Sequence, residues 1–112
     1  MKKIIEQIET KLKEYIGNRK AIIGISGGLD SAVVACLCVR ALGKENVFGI
    51  SMPYGTQSTE DANLVIKHLS IESKEINIKN VVDNFNFLSL DKISKGNVMA
   101  RVRMAILYAF AN

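Results

Sequence analysis

The sequence contains few of the residues that define several protein classes. Its 112 residues include one proline, one histidine, two cysteines and no tryptophan. Two cysteines are too few for a disulfide-stabilised scaffold. Cys36 and Cys38 lie two positions apart, about 200° around a helix, which disfavours both a mutual disulfide and a shared metal. We therefore expect two small, buried and reduced thiols.

Long hydrophobic runs are also missing. Hydrophobic residues make up 48% of the chain, which permits a core, but no apolar run reaches the roughly 18 residues that a membrane helix needs. The opening MKKIIEQIETKLKEY carries charges every two or three positions, unlike the apolar region of a secretory signal. We expect one domain over residues 1–112, without a membrane span, in the cytoplasm.

The charge balance does not distinguish between classes of anionic ligand. Fifteen Lys and Arg residues against eleven acidic ones give a formal charge of +4 and a pI near 9.2. The basic residues are spread along the chain, so the surplus suits either a nucleotide or RNA. The single histidine, His68, follows Lys67 on a predicted amphipathic helix, and we expect it at the surface.

Helix-like and strand-like patterns alternate along the chain. Short, almost wholly apolar runs are typical of parallel strands buried on both faces, so the alternation predicts an α/β fold: an open parallel sheet with helices on both faces. The last helix has no strand after it, so we expect about three strands of a larger fold. The predicted helices are 3–16, 31–42, a helix after the N-cap Ser58, a weak patch at 81–85, and 97–112; the strands are 21–25, 47–52 and 73–78.

A glycine-rich stretch, GISGGLDS at residues 24–31, joins the first strand to the next helix. Open parallel sheets bind ligands beyond the carboxyl ends of their strands. Gly27 and Gly28 allow a close backbone approach, and the free N–H groups of the helix start form an anion site. Asp30 beside a bound phosphate is placed to hold magnesium. The alternative is a plain turn capped by Asp30 or Ser31. The stretch lacks the lysine of a Walker A motif.

Residues 26–31, SGGLDS, match the SGGxDS signature of the PP-loop ATP pyrophosphatases, which split ATP into AMP and pyrophosphate while adenylating a substrate. Two later stretches resemble the NAD synthetase family within this group. One is GNVMARVRM at 96–104 with Leu107 and Tyr108, and the other is MPYGTQ at 52–57 followed by EDA at 60–62. The chain resembles the N-terminal half of the single-domain, ammonia-dependent form.

The resemblance implies a Rossmann-like, adenine nucleotide α-hydrolase-like fold and the ATP-dependent amidation of deamido-NAD with ammonia, through an acyl-adenylate, to NAD, AMP and pyrophosphate. It implies that Asp30 binds Mg²⁺ and that Arg101 contacts deamido-NAD. It also implies a homodimer, built partly by helices 3–16 and 97–112. No catalytic residue is assigned. The implied ATP-binding residues are Gly24, Ile25, Ser26, Gly27, Gly28, Leu29, Asp30 and Ser31.

Members of that family are longer than the part that this sequence resembles. Their remaining part contains further strands, a second metal-binding carboxylate and the ammonia site. In that family the first strand is central, so we expect Ala21–Ile25 to form an apolar sheet edge here. We also expect the 112-residue chain to turn over poorly or not at all. The alternatives are another PP-loop enzyme that adenylates a tRNA base, or a nucleotide-binding chain without activity. Because no basic RNA-binding segment stands out, a nucleic-acid partner is not expected.

Alternatives remain for Arg103, Met52 and Tyr54, which lie near the predicted site. Arg101 and Arg103 lie about 200° apart on a helix, so both cannot face one ligand. With Arg101 assigned to the ligand, we expect Arg103 to be a surface or dimer-contact charge. Met52 and Tyr54 follow the second strand at its carboxyl end, where they either border the adenine or pack in the core.

Overall fold

The computed structural model describes residues 1–111 as a three-stranded parallel sheet flanked by helices. The strands lie side by side in the order β1-β2-β3, with Ala21 opposite Val47 and Phe48 opposite Glu72. The predicted α/β class and parallel sheet are therefore confirmed. The strands are β1 (Ala21–Gly24), β2 (Val47–Ser51) and β3 (Glu72–Glu75); the helices are α1 (Lys2–Ile16), α2 (Leu29–Leu42), α3 (Glu60–Leu69), α4 (Lys79–Asp83) and α5 (Lys92–Ala111).

Helices α1, α2 and α3 cover one face of the sheet. The connections through α2 and α3 both join neighbouring parallel strands in the same direction, and connections of one hand place both helices on one face. Ile25, Ala35 and Val47 are almost wholly buried in this layer. Leu12 and Ile16 of α1 pack against the same cluster.

The other face is covered by α4 and α5. Strand β2 alternates between the two layers, because successive side chains of a strand point to opposite faces. Val47 joins the first layer, whereas Phe48 and Ile50 join the second. Met52, Ile78 and Val82 complete the buried part of the second layer. The α5 residues that pack against it are Val98, Met99, Val102, Ile106 and Leu107.

The two edges of the sheet differ in chemistry. All four β3 residues, Glu72–Glu75, are exposed, and three of them are charged. The apolar β1 is buried or half-buried along its length and, within residues 1–111, pairs only with β2. The predicted apolar edge at β1 is thus present in the described part of the chain.

The third strand ends earlier than predicted, at Glu75 rather than residue 78. Beyond it, the N–H groups of Ile76 and Ile78 still donate to the carbonyls of Ser51 (2.8 Å) and Pro53 (2.9 Å). Pro53 has no N–H to return, so regular strand pairing stops there. The predicted inward alternation of the two isoleucines is correct, since both contribute to the second layer.

Helix α5 begins at Lys92, five residues before the predicted start. The carboxylate of Asp91 accepts the N–H of Ser94 at 2.7 Å, which is the bond an N-cap makes to the third residue of its helix. Gly96, a weak helix former, lies inside the helix rather than before it. Residue 112, the last of the predicted helix, lies outside the described residues.

The two cysteines of α2 lie in different environments. Cys38 is buried against the sheet, and this burial raises the pKa of its thiol. Cys36 is exposed, so the prediction of two buried thiols is wrong for this residue. The reason is the helical spacing itself, since α2 turns Ala35, Cys38 and Ala41 toward the core and Cys36 away from it. Among residues 1–111, no helix has the length and apolarity to cross a membrane.

Candidate functional site

The glycine-rich loop leaves the sheet at the carboxyl end of β1 and enters α2. The N–H of Ile25 still donates to the carbonyl of Ile50 at 2.9 Å, which fixes the start of the loop against β2. Gly27 then adopts φ +87°, a left-handed conformation that favours glycine. Gly28 is the N-cap of α2, with extended angles of φ −77° and ψ 165°. The unpaired N–H groups of the first helical turn therefore lie directly beyond β1, as predicted.

Two serine hydroxyls hold this loop closed. The Oγ atoms of Ser26 and Ser31 lie 3.1 Å apart, and the Ser31 hydroxyl also accepts the N–H of Ser26 at 3.2 Å. The N–H of Gly28 donates to Ser26 Oγ at 3.2 Å, and Ser31 Oγ donates to the Gly28 carbonyl at 3.3 Å. The serines thus shape the turn, and both hydroxyls lie beside the helix start where an anion would bind.

Asp30 lies exposed in the first turn of α2. Among residues 1–111, no group of three or more His, Cys, Asp or Glu side chains is arranged to hold a metal ion. A single carboxylate beside an anion site still fits Mg²⁺, which commonly binds through one or two carboxylates and the phosphates of a substrate. The donor set therefore suits a metal that arrives with a polyphosphate.

A cleft of about 260 Å³ opens beside the loop. It lies between the end of β1, the segment that links β2 to α3, and one side of α5. Its walls are apolar in part: a Cβ built on Gly24 would lie 3.3 Å from Met52 Cε and 3.4 Å from Leu107 Cδ1. The lining residues are Gly24, Ile25, Ser26, Ser51, Met52, Pro53, Gln57, Ser58, Thr59, Ala62, Arg103 and Leu107.

Arg103 reaches into this cleft from α5. Its Nε donates to the carbonyl of Met52 at 3.0 Å, and a terminal nitrogen donates to Gln57 Oε1 at 3.3 Å. Partial burial lowers the pKa of this guanidinium. The prediction that Arg103 is a free surface charge is therefore wrong, whereas a dimer contact by Arg103 stays a prediction. The physical reason is the orientation of α5, whose apolar stripe packs on the sheet and turns Arg103 toward β2.

The family model for NAD synthase matches residues 1–112. The chain belongs to the NAD synthase family. The NH(3)-dependent NAD(+) synthetase of Pyrococcus horikoshii is 52% identical over 114 aligned positions, which cover 98% of this chain and 44% of that protein. The synthetase of the same name from Pyrococcus furiosus is 47% identical, with coverage of 96% and 44%. This chain therefore spans less than half the length of these relatives.

Solved structures of the family share the fold. The NH3-dependent NAD synthetase of Campylobacter jejuni superposes with a TM-score of 0.88 at 39% identity, covering 97% of this chain and 51% of that one. The NMN synthetase of Francisella tularensis gives a TM-score of 0.76 at 31% identity, with coverage of 96% and 50%. These matches confirm the resemblance inferred from the SGGLDS, MPYGTQ and GNVMARVRM stretches.

Only some of the predicted site residues of this NAD synthase family member line the cleft. Gly24, Ile25 and Ser26 line it, whereas residues 27–31 form the adjoining turn and the first turn of α2. Arg101 is exposed on α5 and lies outside the lining of this cleft. Sequence reasoning missed Gln57, Ser58 and Thr59 as lining residues, although Gln57 ends the recognised MPYGTQ stretch and the other two follow it directly. His68 is exposed, as expected.

Met52 and Tyr54 differ in their relation to the cleft. Met52 is buried in the second layer and also lines the cleft, so its packing is confirmed and its contact with adenine stays a prediction. Tyr54 turns away from the cleft and donates its hydroxyl to Asp83 Oδ1. The ammonium groups of Lys95 and Lys79 lie 4.9 and 5.6 Å from the centroid of the Tyr54 ring. Hydrogen bonds from Lys79 and then from Tyr54 lower the pKa of Asp83 to about 2. Tyr54 is therefore a structural residue of the neighbouring segment.

Asn77, which follows β3, forms hydrogen bonds to the segment that links β2 to α3. Its side-chain Oδ1 accepts the N–H of Gly55 at 3.0 Å, and its Nδ2 donates to the Gly55 carbonyl at 2.7 Å. This pair of bonds imitates one rung of a β-ladder at the point where Pro53 has interrupted the regular pairing. The tip of the segment, at Gly55 (φ +62°), is thereby tied to the chain that follows β3.

Proposed function

We propose that this chain is the ATP-binding part of an enzyme that amidates deamido-NAD with ammonia. The observation that carries the proposal is the SGGLDS loop, folded onto the amino end of α2 and flanked by a cleft at the carboxyl end of β1. The proposal is supported by relatives that carry the name NH(3)-dependent NAD(+) synthetase and share up to 52% identity with this chain. Deamido-NAD, ammonia and ATP are the proposed substrates.

The ATP phosphates would bind along residues 24–31. Backbone N–H groups at the start of α2 donate to anions, and the helix dipole adds a partial positive charge there. The Ser26 and Ser31 hydroxyls already bond to each other, so they can redirect toward phosphate oxygens without a change of backbone. The cleft beside Ser26 has apolar walls at Met52 and Leu107, which suit a flat, largely apolar base.

The proposed reaction has two steps. An oxygen of the nicotinate carboxylate attacks the α-phosphorus of ATP, and pyrophosphate leaves. The nitrogen of ammonia then attacks the carbonyl carbon of the acyl-adenylate, AMP leaves with the bonding electrons, and the nitrogen loses a proton to give the amide. Residues 24–31 bind and orient the phosphates for the first step, and no residue is assigned to the second. Mg²⁺ held by Asp30 and the phosphate oxygens would neutralise charge on the leaving pyrophosphate.

Arg101 is the proposed contact for deamido-NAD. Its exposed guanidinium on α5 is free to form paired hydrogen bonds to a carboxylate or phosphate. We also propose a homodimer that uses α1 and α5, since both helices expose large apolar side chains: Ile4 and Tyr15 on the first, and Met104 and Tyr108 on the second. A cytoplasmic location completes the proposal.

A thermal-shift experiment tests the ligands separately. We expect Mg-ATP and deamido-NAD each to raise the melting temperature, because a ligand that binds only the folded state stabilises it. A shift with tRNA alone would favour a tRNA-adenylating enzyme and contradict the proposal. A shift with Mg-ATP but none with deamido-NAD would favour a chain that only binds a nucleotide, without activity. The steady-state rate of NAD formation by the 112-residue chain is predicted to be low or absent.

A further inference from the structure

One side chain joins helix α5 to both ends of the segment that follows β2. The guanidinium of Arg103 donates to the carbonyl of Met52 at one end and to Oε1 of Gln57 at the other. The same Gln57 oxygen accepts the N–H of Tyr54 at 3.1 Å, and the Gln57 N–H donates to the Tyr54 carbonyl at 3.1 Å. Arg103 therefore ties both ends of this turn to α5.

This turn forms one wall of the cleft, across from the glycine-rich loop. Met52, Pro53 and Gln57 line the cleft, and Ser26 lines it on the loop side. Asn77 fixes only the tip of the turn, at Gly55. The base of the turn, where the lining residues lie, is held at Pro53 by the N–H of Ile78 (2.9 Å). At Met52 and Gln57 it is held by the two bonds from α5.

We propose that Arg103 is a positioning residue, which holds residues 52–57 in the shape that receives the nucleotide. Its bonds are made to the protein and its side chain is half-buried, so it acts through Met52 and Gln57 rather than by touching the ligand. The identity of the ligand, ATP, rests on the proposed function. The placement of the turn does not, and it can be measured without any ligand.

Hydrogen exchange of the free 112-residue chain measures the turn directly. Arg103→Met keeps the unbranched stem of the side chain but removes its donors, and we expect the amides of Tyr54 and Gln57 to exchange about tenfold faster. Arg103→Lys keeps one donor and should give an intermediate rate. Lys92→Met removes a charge from the same helix and serves as the control, with exchange unchanged at the turn. Unchanged amides of β1 and β2 would show that each variant is folded.

Titration with Mg-ATP decides whether the position of the turn matters. We expect about tenfold weaker binding by Arg103→Met, partial recovery in Arg103→Lys, and no change in Lys92→Met. Weaker binding without faster exchange at the amides of Tyr54 and Gln57 would mean direct contact between Arg103 and the nucleotide, and would overturn the proposal. Faster exchange with unchanged affinity would overturn it as well. If the unaltered chain binds no Mg-ATP, the proposed function fails, while the exchange rates still decide whether Arg103 holds the turn.

Discussion

Gly27 lies so close to the first turn of α3 that a β-carbon added to it would be 2.8 Å from Cβ of Asp61 and 2.9 Å from the backbone nitrogen of Ala62. Real β-carbons do not approach other atoms this closely, and the Ala62 nitrogen belongs to a helix that cannot shift alone. The loop of the candidate ATP site is therefore packed against a second helix as well as capping its own.

Gly27→Ala should consequently destabilise the fold and abolish ATP binding together. The substitution combines a left-handed φ of +87° with the backbone clash, and we expect a loss of about 2–4 kcal/mol in the free energy of unfolding. Urea unfolding and a Mg-ATP titration of the variant measure the two effects. Retention of full stability would show that the loop moves freely away from α3.

Two other glycines separate the causes of that loss. Gly17 also has a positive φ (+62°) but open space around it, so Gly17→Ala should cost about 1–3 kcal/mol from backbone strain alone. Gly28 has a negative φ, and its nearest neighbour is the Ser26 hydroxyl at 3.4 Å, so Gly28→Ala should fold normally. A Gly27→Ala loss no larger than that of Gly17→Ala would rule out the clash with α3.

Asp30→Asn tests the magnesium assignment. The amide keeps the size of the side chain but is a much weaker ligand for a hard cation, so we expect the Mg²⁺ dependence of ATP binding to be largely lost. ATP titrations with and without Mg²⁺, compared with the unaltered chain, measure the coupling between metal and nucleotide. An unchanged dependence on Mg²⁺ would place the metal elsewhere.

Asp83 should make stability depend on acid pH. Hydrogen bonds from Lys79 and then Tyr54 lower the pKa of its carboxyl from 3.8 to about 2 in the folded chain. The stabilisation is therefore complete above pH 3.8 and is lost as the pH falls toward about 2, where the folded state also takes up the proton. The difference in unfolding free energy between the unaltered chain and Asp83→Asn, measured in urea, should shrink over this range.

Asn at this position can still accept the hydroxyl of Tyr54, so the comparison isolates the charge. Tyr54→Phe provides the complementary control, because it removes one hydrogen bond and leaves the Lys79–Asp83 ion pair. The pH dependence should persist in that variant over a narrower range, since only part of the pKa shift is lost. A difference between the unaltered chain and Asp83→Asn that stays constant from neutral pH to pH 2 would contradict the assignment.

The two thiols should react at very different rates. Cys36 is exposed, whereas Cys38 is buried and burial raises its pKa, so both access and thiolate fraction disfavour Cys38. We expect iodoacetamide to modify Cys36 at least about 100-fold faster in the native chain, and both residues in denaturant. Peptide mass spectrometry assigns the sites, and equal native rates would contradict the burial of Cys38.

The parts of the fold that follow from local pattern were predictable from the sequence. Apolar runs at residues 21–25 and 47–52 indicated buried parallel strands, and each is one residue longer than the strand in the structure. The start of α5 was predictable in principle from Asp91, whose side chain caps the helix. Gly96 concealed that signal, because the packing of α5 on the sheet outweighs the roughly 1 kcal/mol that a helical glycine costs.

The direction of Arg103 was not predictable from the sequence. Helical spacing shows only that Arg101 and Arg103 point to opposite sides, and it does not say which side faces the cleft. That is decided by contacts between α5 and residues far away in the chain, such as Arg103 with the carbonyl of Met52, 51 positions earlier. The resemblance to a family supplied a role for Arg101 and left its neighbour without one.

The contrast between the two sheet edges gives the sheet a direction of growth. An added strand at β3 would have to align with Glu72, Lys74 and Glu75, where exposed charges oppose a foreign backbone. At β1 the incoming strand would meet Ala21–Gly24, with apolar layers already built on both faces. Extension of this sheet, whether by a native strand or by aggregation, is therefore favoured at β1. A lysine placed in β1 would reduce this pairing far more than a lysine placed in β3.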